Sequence, residues 1–339
     1  MRKNQKGVSI ISIILIIFII LVGIFIYSSI QEPQTGYYEN TYEPISNSEN
    51  EAIRYYYNQL SKPAKIMYET ILNNKEALKI GNGKIKFTDE VEKSIEEEGG
   101  SIENNYFQTA WDAISLDNLD LFYVDTQNLS LSTKTTSILG YKSYEFTLEP
   151  KEGNTYYNSS FTNKEEVENA LQQVNDIVDE IINNATGSTY DKVKYAHDWI
   201  VENVEYDNDN TANNDNIYGT FVNKKVVCEG YAESFKYLLD KMNIPCVLVY
   251  GDGYNNEGRR ESHAWNYVKM DDENWYAVDT TWDDPIYLGS IDKLTNPKKY
   301  EYFLRGSNSF NKNHINDGDV SGTGQDFKYP ELAENDYLR

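Results

Sequence analysis

The sequence predicts an α+β protein whose core is an amphipathic helix packed on an antiparallel sheet. Apolar residues recur every three or four positions in some segments, as in helices, and alternate with polar residues in others, as in half-buried strands. Apolar residues make up 40% of the 339-residue chain, which is enough to bury a hydrophobic core. A mostly helical region and an N-terminal transmembrane helix are predicted to precede this core.

The first element is an uncharged run of 20 residues, Val8 to Tyr27, rich in Ile, Leu, Val and Phe. At about 1.5 Å per residue such a helix spans roughly 30 Å, the thickness of the hydrocarbon core of a bilayer. We therefore predict an uncleaved membrane anchor at residues 8–27. Two alternatives are a cleaved signal peptide, which usually has a shorter apolar region, and a prepilin-like leader, since Lys6-Gly7 precedes the run.

The charge distribution predicts the orientation of this anchor. The chain has 31 basic and 54 acidic residues, a formal charge of −23. The first 27 residues hold three basic residues and no acidic one, so the rest has 28 basic and 54 acidic residues, or −26. Since positive charge stays on the cytoplasmic side, we predict a cytoplasmic stub at residues 1–7 and an exterior domain. An exterior this acidic repels phosphate backbones, which argues against a nucleic-acid partner.

The next two segments are predicted to separate the anchor from the core. Residues 28–50 are polar and contain Pro and Gly, which is typical of a linker. Residues 51–185 are predicted to be a mostly helical accessory region with some strands. Helical spacing follows Pro63 and fills residues 164–183, whereas residues 128–150 alternate as strands do.

Cys228 is predicted to begin an amphipathic helix, because apolar residues follow it at helical spacing up to Asn243. At a helix N-terminus, unpaired backbone N–H groups and the positive end of the dipole favour a thiolate, the nucleophilic form of cysteine. A second helix is predicted over residues 190–205, with Ser188 or Thr189 as its N-cap. The other cysteine, Cys246, lies in an apolar strand and is predicted to be part of the core.

His263 and Asp279 lie in two strand-like segments joined by a polar turn. A hairpin centred on Asp271 places them directly opposite each other, with Cβ atoms about 5 Å apart. A carboxylate at that distance fixes the orientation of the imidazole, whose other nitrogen is then free to face Cys228. The spacing therefore predicts a catalytic triad of Cys228, His263 and Asp279.

Further candidates surround this triad. An oxyanion needs N–H or O–H donors about 3 Å away. The backbone N–H of Cys228 is one predicted donor, and the side chain of Tyr218 is the candidate for the second. His197 and His314 are predicted to be structural, and the acidic loop 207–216 lacks the ligand spacing of an EF-hand, so no metal or cofactor is predicted. Three tryptophans are predicted to line the cleft or to fill the core: Trp265, Trp275 and Trp282.

The stretch from about residue 190 to 316 resembles the transglutaminase-like superfamily, whose papain-like fold occurs in transglutaminases and in some bacterial peptidases. Three motifs in the family's order and spacing show this resemblance: VCEGYA at 227–232, HAWN at 263–266 and VDTTWDDP at 278–285. The resemblance implies that Cys228 is the nucleophile, that His263 is the general base and acid, and that Asp279 orients the histidine.

These expectations describe a bacterial thiol enzyme in the cell membrane, with a catalytic domain at 186–320 and a C-terminal tail at 321–339. It would act on amide bonds of a protein or peptide substrate, with cell-wall-associated material as one candidate, through a thioester on the cysteine. Attack by water would make it a peptidase or amidase, which we favour, and attack by an amine would make it a transglutaminase. The rival from another class is a non-catalytic binding module at the cell surface.

Overall fold

The structure is a computed structural model, and it describes residues 37–39, 54–102, 105–254, 258–284, 299–318 and 324–339. The predicted stub, the membrane anchor and most of the linker lie outside these residues and stay predictions. Within the described ranges, no helix is both long and apolar enough to cross a membrane. Tyr38–Arg339 forms one compact unit.

The described residues form a mixed α+β fold, as predicted. The α-helices are α1 (Lys62–Asn73), α2 (Lys75–Lys79), α3 (Glu90–Glu97), α4 (Tyr106–Asp117), α5 (Lys164–Asn184), α6 (Thr189–Asn203), α7 (Cys228–Lys241) and α8 (Ser307–Phe310). The strands are β1 (Tyr37–Glu39), β2 (Lys84–Lys86), β3 (Leu129–Ile138), β4 (Tyr141–Pro150), β5 (Glu205–Tyr206), β6 (Lys225–Val226), β7 (Cys246–Tyr254), β8 (Arg260–Lys269), β9 (Trp275–Val278) and β10 (His314–Asp317).

The first half of the described chain combines a helical layer with a small sheet. Helix α1 contacts both α3 and α4, and its apolar stripe, including Met67 and Ile71, is buried. Pro63 lies in the first turn of α1, where its missing N–H costs no hydrogen bond. The sheet has the strand order β1-β2-β4-β3, and β3 and β4 form one long hairpin paired from Leu129–Pro150 to Ile138–Tyr141.

A second, antiparallel sheet has the strand order β10-β7-β8-β9, and α7 packs against its two central strands. In the apolar stripe predicted for α7, Phe235, Leu238 and Leu239 are fully buried, whereas Met242 just after the helix is half-buried. Asn266 of β8 donates a side-chain hydrogen bond of 2.9 Å to the carbonyl of Ala232, which ties the sheet to the helix. The predicted helix-on-sheet core is therefore present, with Cys228 as the first residue of α7.

Helix α6, which precedes Cys228 in the chain, begins at one of its two predicted N-cap residues, Ser188. The Ser188 side chain accepts a hydrogen bond from the backbone N–H of Asp191, and the Asp191 side chain accepts from the backbone of Ser188. This reciprocal capping box satisfies two of the four free N–H groups at the start of α6. Helix α6 contacts α7, so a well-defined start for α6 helps to hold the helix that begins with Cys228.

The predicted register of the β8–β9 hairpin is wrong by two residues. Asn266 pairs with Val278, so continued pairing would place Asp279 opposite Trp265 and not opposite His263. Side chains alternate between the two faces of a strand, so a shift of two residues keeps Asp279 on the predicted face. The carboxylate therefore approaches His263 diagonally, which is still within reach of two long side chains.

Candidate active site

The site lies on one face of the second sheet, where the central strand β7 has two glycines. Gly251 pairs with His263 on β8, and Gly253 pairs with His314 on β10. Neighbouring strands lie about 4.8 Å apart, so side chains on β8 and β10 are normally kept apart by those of the strand between them. Without side chains at these two positions, the His263 and His314 rings approach to 5.7 Å between centroids.

Neither glycine can be replaced without a clash. A Cβ at Gly253 would lie 2.8 Å from Cζ2 of Trp282 and 3.4 Å from Cδ2 of His263. A Cβ at Gly251 would lie 2.1 Å from the carbonyl oxygen of Ile315 on β10. The two glycines are thus required by close packing, which is the usual reason for glycine inside a strand.

The Asp279 carboxylate is fully buried, and hydrogen bonds occupy both of its oxygens. Oδ2 lies 2.8 Å from Nε2 of His263 and 3.1 Å from Nε2 of His314. Oδ1 accepts the backbone N–H groups of Thr281 at 3.0 Å and Trp282 at 3.1 Å. Burial alone would raise the pKa of Asp279, but the two histidines hold it well below its usual range. Asp279 is therefore ionised at neutral pH.

His263 lies between this carboxylate and the thiol. Burial alone would lower the pKa of His263, but the Asp279 carboxylate and a hydrogen bond with Cys228 raise it to about 10. Because Nε2 faces Asp279, Nδ1 is the nitrogen left for Cys228. The ring is therefore protonated at neutral pH, and a protonated imidazole favours the thiolate form of a neighbouring cysteine.

The two cysteines have opposite environments, and both are free thiols. Cys228 is partly exposed at the start of α7, where the first backbone N–H groups have no acceptor within the helix. Cys246 is buried in β7, and this burial raises the pKa of its thiol well above the usual value. Cys228 is thus the thiol in a reactive environment, and Cys246 belongs to the core, as the sequence predicts.

Two of the three predicted tryptophans contact His263. The Trp282 ring stacks on the His263 ring at 5.1 Å and 25°, and the Trp265 ring lies 5.9 Å from it. Trp275 lies elsewhere, packed edge-on against Tyr55 with the centroids 5.9 Å apart. Trp282 and Trp265 therefore hold the imidazole plane, whereas Trp275 joins β9 to the segment before α1.

Tyr218 immediately precedes the π-helical turn Gly219–Asn223. Its ring stacks on Phe122 at 5.7 Å and meets Phe161 edge-on at 6.0 Å. In the described part of the chain, no hydrogen bond joins the Tyr218 side chain to the triad. The identity of the second oxyanion donor therefore stays a prediction, whereas the backbone N–H of Cys228 is positioned by the start of α7.

A buried histidine supports the turn after Asp279. His197 on α6 lies 3.1 Å from the carboxylate of Asp198 through Nδ1 and 3.1 Å from that of Asp283 through Nε2. Asp283 also accepts the backbone N–H of Tyr302 at 2.8 Å. Its own backbone N–H donates to the carbonyl of Asp279. His197 therefore has the structural role that the sequence predicts, and it ties α6 to the turn that holds the triad carboxylate.

His314 is the residue at the site that sequence reasoning assigned to structure alone. The sequence holds only an indirect signal for this position. Gly251 and Gly253 leave one face of a strand without side chains, which makes room beside His263 for a residue from another strand. His263, Asp279 and His314 also offer ligand atoms within 4.8 Å of one another, a spacing compatible with a metal ion. Both imidazoles hydrogen-bond the same carboxylate oxygen, so an ion would have to displace these contacts, and hydrogen bonding accounts for the cluster.

Part of this chain is similar to a known family of proteins. Residues 175–280 match a family model described as the transglutaminase-like superfamily. A search of curated proteins by sequence finds no match. A solved structure described as a TGase is 16% identical, with 59% of this chain and 51% of that chain aligned and a TM-score of 0.30. The periplasmic domain of TgpA from Pseudomonas aeruginosa is 14% identical, with 47% and 67% aligned and a TM-score of 0.27.

This chain thus spans about half the length of the TGase that it matches. With TM-scores this low, neither structure is evidence for an activity of this chain. The family model is more informative, since its matched range includes the cysteine, the histidine and the aspartate of the site. Residues 175–280 of this chain, which include the candidate site, are therefore similar to the transglutaminase-like superfamily.

Proposed function

We propose that this chain is a membrane-anchored extracellular thiol enzyme that cleaves amide bonds through a thioester on Cys228. The observation that supports this most is the position of His263 between the Asp279 carboxylate and the Cys228 thiol, which raises the pKa of the buried imidazole to about 10. Burying a charged group costs stability unless it is paired. A domain that only binds has no use for such a pair next to a thiol.

The proposed reaction begins with attack of the Cys228 thiolate on the carbonyl carbon of the amide. The resulting oxyanion is stabilised by the N–H groups at the start of α7. Nδ1–H of His263 then protonates the amine as the C–N bond breaks, which leaves a thioester on Cys228. Water attacks the thioester while the neutral His263 accepts its proton, and the carboxylic acid leaves as the C–S bond breaks. Asp279 stays ionised and stabilises each imidazolium.

The same thioester has a second possible fate. Attack by a primary amine in place of water would form a new amide, and the chain would be a transglutaminase. We favour hydrolysis, because water needs no binding site of its own, whereas an amine must compete with it. The non-catalytic binding module remains the rival from a different class, and an unreactive Cys228 is its distinguishing property.

One experiment separates these three functions. The purified full-length chain is incubated with casein, with and without a fluorescent primary amine, beside Cys228→Ala as the inactive variant and Cys246→Ala as the cysteine control. We expect casein fragments with the parent and with Cys246→Ala, and none with Cys228→Ala. Fluorescent casein without fragments would favour the transferase. Neither product, together with slow alkylation of Cys228, would favour the binding module.

The proposed location has a separate test. The anchor at residues 8–27 and the acidic exterior support a single-pass protein with its N-terminus in the cytoplasm. Protease added to intact cells is expected to remove the bulk of the chain. Complete protection until the cells are lysed would overturn the extracellular placement without affecting the proposed chemistry.

A further inference from the structure

The β3–β4 hairpin has a packed base and an exposed tip. Near the base, Leu148 is buried, and the backbone N–H of Tyr144 donates a hydrogen bond of 3.1 Å to the carboxylate of Glu92 on α3. Every residue of the tip, residues 137–143, is exposed. Tyr141 in the tip is seven residues away from Leu148, where β4 pairs with β2, or roughly 23 Å at about 3.3 Å per residue. The hairpin therefore projects from the rest of the sheet.

Three large apolar side chains cover the hairpin tip. Ile138 is 66% exposed, Leu139 is 96% exposed and Tyr141 is 83% exposed. Ile138 and Tyr141 are strand partners, so their side chains lie on the same face, and Leu139 follows at the turn. Single exposed apolar residues are ordinary on protein surfaces, whereas a contiguous group marks a surface that contacts something else.

The geometry of the turn gives no reason for a leucine. Leu139 and Gly140 have φ of 52° and 89°, as in a two-residue type I′ turn, which requires positive φ at both positions. Asn-Gly is the preferred sequence of this turn, because most residues with a Cβ are strained in the left-handed region. Leu139 thus gains neither burial nor a favourable backbone conformation from its position. An apolar medium that covers the tip would explain both features.

The charge of the hairpin tip differs from that of the predicted exterior domain. The tip has one basic residue, Lys142, and no acidic residue, whereas the predicted exterior has a formal charge of −26. The ammonium group of Lys142 forms no ion pair in the ranges that the structure describes. A bilayer with anionic lipids attracts lysine and repels acidic groups, and tyrosine is enriched where lipid meets water. This combination of apolar side chains, a tyrosine and a lysine is therefore typical of a segment that enters a bilayer surface.

The length of the chain before the sheet is compatible with such contact. Strand β1 is an edge strand of the sheet that contains the hairpin, and it begins at Tyr37. The predicted anchor ends at Tyr27, ten residues earlier. Ten extended residues span at most about 35 Å, which exceeds the roughly 23 Å length of the hairpin beyond β2. The linker is thus long enough for the sheet to stand a hairpin's length away from the membrane.

We propose that the hairpin tip inserts Ile138, Leu139 and Tyr141 into the surface of the lipid bilayer that holds the anchor. The Lys142 ammonium group then lies among the lipid headgroups. The tip is a second attachment point, and it fixes the orientation of the catalytic domain at the membrane. This inference rests on the proposed anchor at residues 8–27 and is independent of the proposed amide chemistry.

The test measures contact between the tip and lipid in the full-length chain. Cys228→Ala with Ser137→Cys is labelled at position 137 with the fluorophore NBD, since Cys246 is fully buried. The chain is reconstituted in vesicles of phosphatidylcholine and phosphatidylglycerol, with and without a lipid that is spin-labelled near its headgroup. We expect the spin label to reduce NBD emission at least about twofold. The same label at Glu152→Cys, which is exposed just beyond the opposite end of β4, is expected to keep its emission.

Leu139→Asn separates insertion from folding. Asn-Gly suits the turn, so the melting temperature of this variant in detergent is expected to equal or exceed that of the parent, while quenching at position 137 is lost. If the variant unfolds, Tyr141→Ser is measured in its place. Equal quenching in the parent and in the folded variant would overturn insertion by the apolar residues.

Flotation of the vesicles tests the anchor separately. A chain that floats with the vesicles but has an unquenched label at position 137 would overturn the inserted tip, favour a protein partner for it, and leave the anchor intact. A chain that does not float would overturn the anchor and the inserted tip together. Neither result affects the cleavage of casein, which is measured without vesicles.

Discussion

Nε2 of His314 lies 3.1 Å from Oδ2 of Asp279, the oxygen that also contacts His263. Burial lowers the pKa of His314, and the nearby His263 lowers it further against the opposing effect of Asp279. His314 is therefore neutral at pH 7, and its proton is assigned to Nε2 because a carboxylate oxygen only accepts. The Asp279 carboxylate is thus held from two sides, by a charged and by a neutral imidazole.

Loss of the contact between His314 and Asp279 is expected to lower activity, although His314 itself does not contact the substrate in the proposed mechanism. His314→Phe keeps a ring stacked on Phe310, whose centroid lies 4.0 Å away, but removes the donor to Asp279. We expect kcat/KM to fall about tenfold, the size of one lost hydrogen bond to a charged group. Without the hydrogen bond from His314, the Asp279 carboxylate interacts more strongly with His263. The pKa of His263 is then expected to rise, and activity is expected to decline at a higher pH than in the parent.

The pH–rate profile distinguishes a positioning role from a packing role. His314→Gln retains an N–H donor and is expected to recover part of the lost activity and the parent alkaline limb. The contact with Asp279 would be only structural if His314→Phe lowered activity without changing the pH at which activity declines, and if His314→Gln restored none of the lost activity.

The negative charge of Asp279 is expected to contribute more to catalysis than its hydrogen bonds do. Asp279→Asn keeps the shape of the side chain, but its amide can donate to His263 and so favours the wrong tautomer. We expect kcat/KM on an amide substrate to fall about 10⁴-fold, as for an aspartate-to-asparagine change in a hydrolase triad. Alkylation of Cys228 below pH 7 is also expected to slow, because the imidazolium that favours the thiolate is lost.

A matched control for this variant is Asp271→Asn, an exposed aspartate in the turn between β8 and β9. It removes one negative charge from the same hairpin and is expected to leave both rates unchanged. Equal alkylation rates for Asp279→Asn and the parent would contradict the charged His263–Asp279 pair.

Local patterns were sufficient to predict the elements that hold the triad, but not their register. The helix that begins at Cys228 and the strands β8 and β9 follow from periodicity over ten or so neighbouring residues. The register depends on the turn, where Glu273 adopts a left-handed conformation with φ of 65°. A position of that kind favours Gly or Asn, so a glutamate gives no sequence signal for the longer turn.

Contacts between distant segments were beyond the reach of the sequence. His314 meets Asp279 only because β10 pairs with β7, a strand order that no local pattern specifies. A cavity of about 530 Å³ is likewise lined by both Asp112 on α4 and Glu233 on α7, two residues with no shared motif. The contact between His263 and Asp279 was predictable because both residues lie in motifs of their own, whereas these other arrangements arise from tertiary packing.

Loss of the proton from His263 is expected to lower both stability and activity at alkaline pH. Its pKa of about 10 in the folded chain exceeds the value of about 6.5 expected when unfolded. The folded state therefore binds the proton more tightly, and this stabilisation is complete below about pH 6.5 and lost as pH rises through about 10. We expect the melting temperature of the parent to fall over this range, and that of His263→Ala to fall less.

Amide cleavage is expected to decline over the same upper range, since His263 must protonate the leaving amine. Alkylation of Cys228 needs only the thiolate, so its rate is expected to persist above pH 10. Parallel pH profiles for the two reactions would show that His263 is not the proton donor.

The absence of side chains at Gly251 and Gly253 of β7 leads to the last prediction. Gly253→Ala adds one methyl group, which would lie 2.8 Å from Trp282 and 3.4 Å from the His263 ring, so one of these rings must move. Overpacking of this kind costs about 1–3 kcal/mol of unfolding free energy. A displacement of about 1 Å in a catalytic group lowers rates about 100-fold. We therefore expect a folded protein, by urea titration, whose kcat/KM is reduced about 100-fold. Asp252→Ala is the control, because it changes the adjacent residue, on the other face of the strand, and removes a surface ion pair with Arg260. Parent-like activity in Gly253→Ala would mean that the close approach of Trp282 to His263 does not position the imidazole for catalysis.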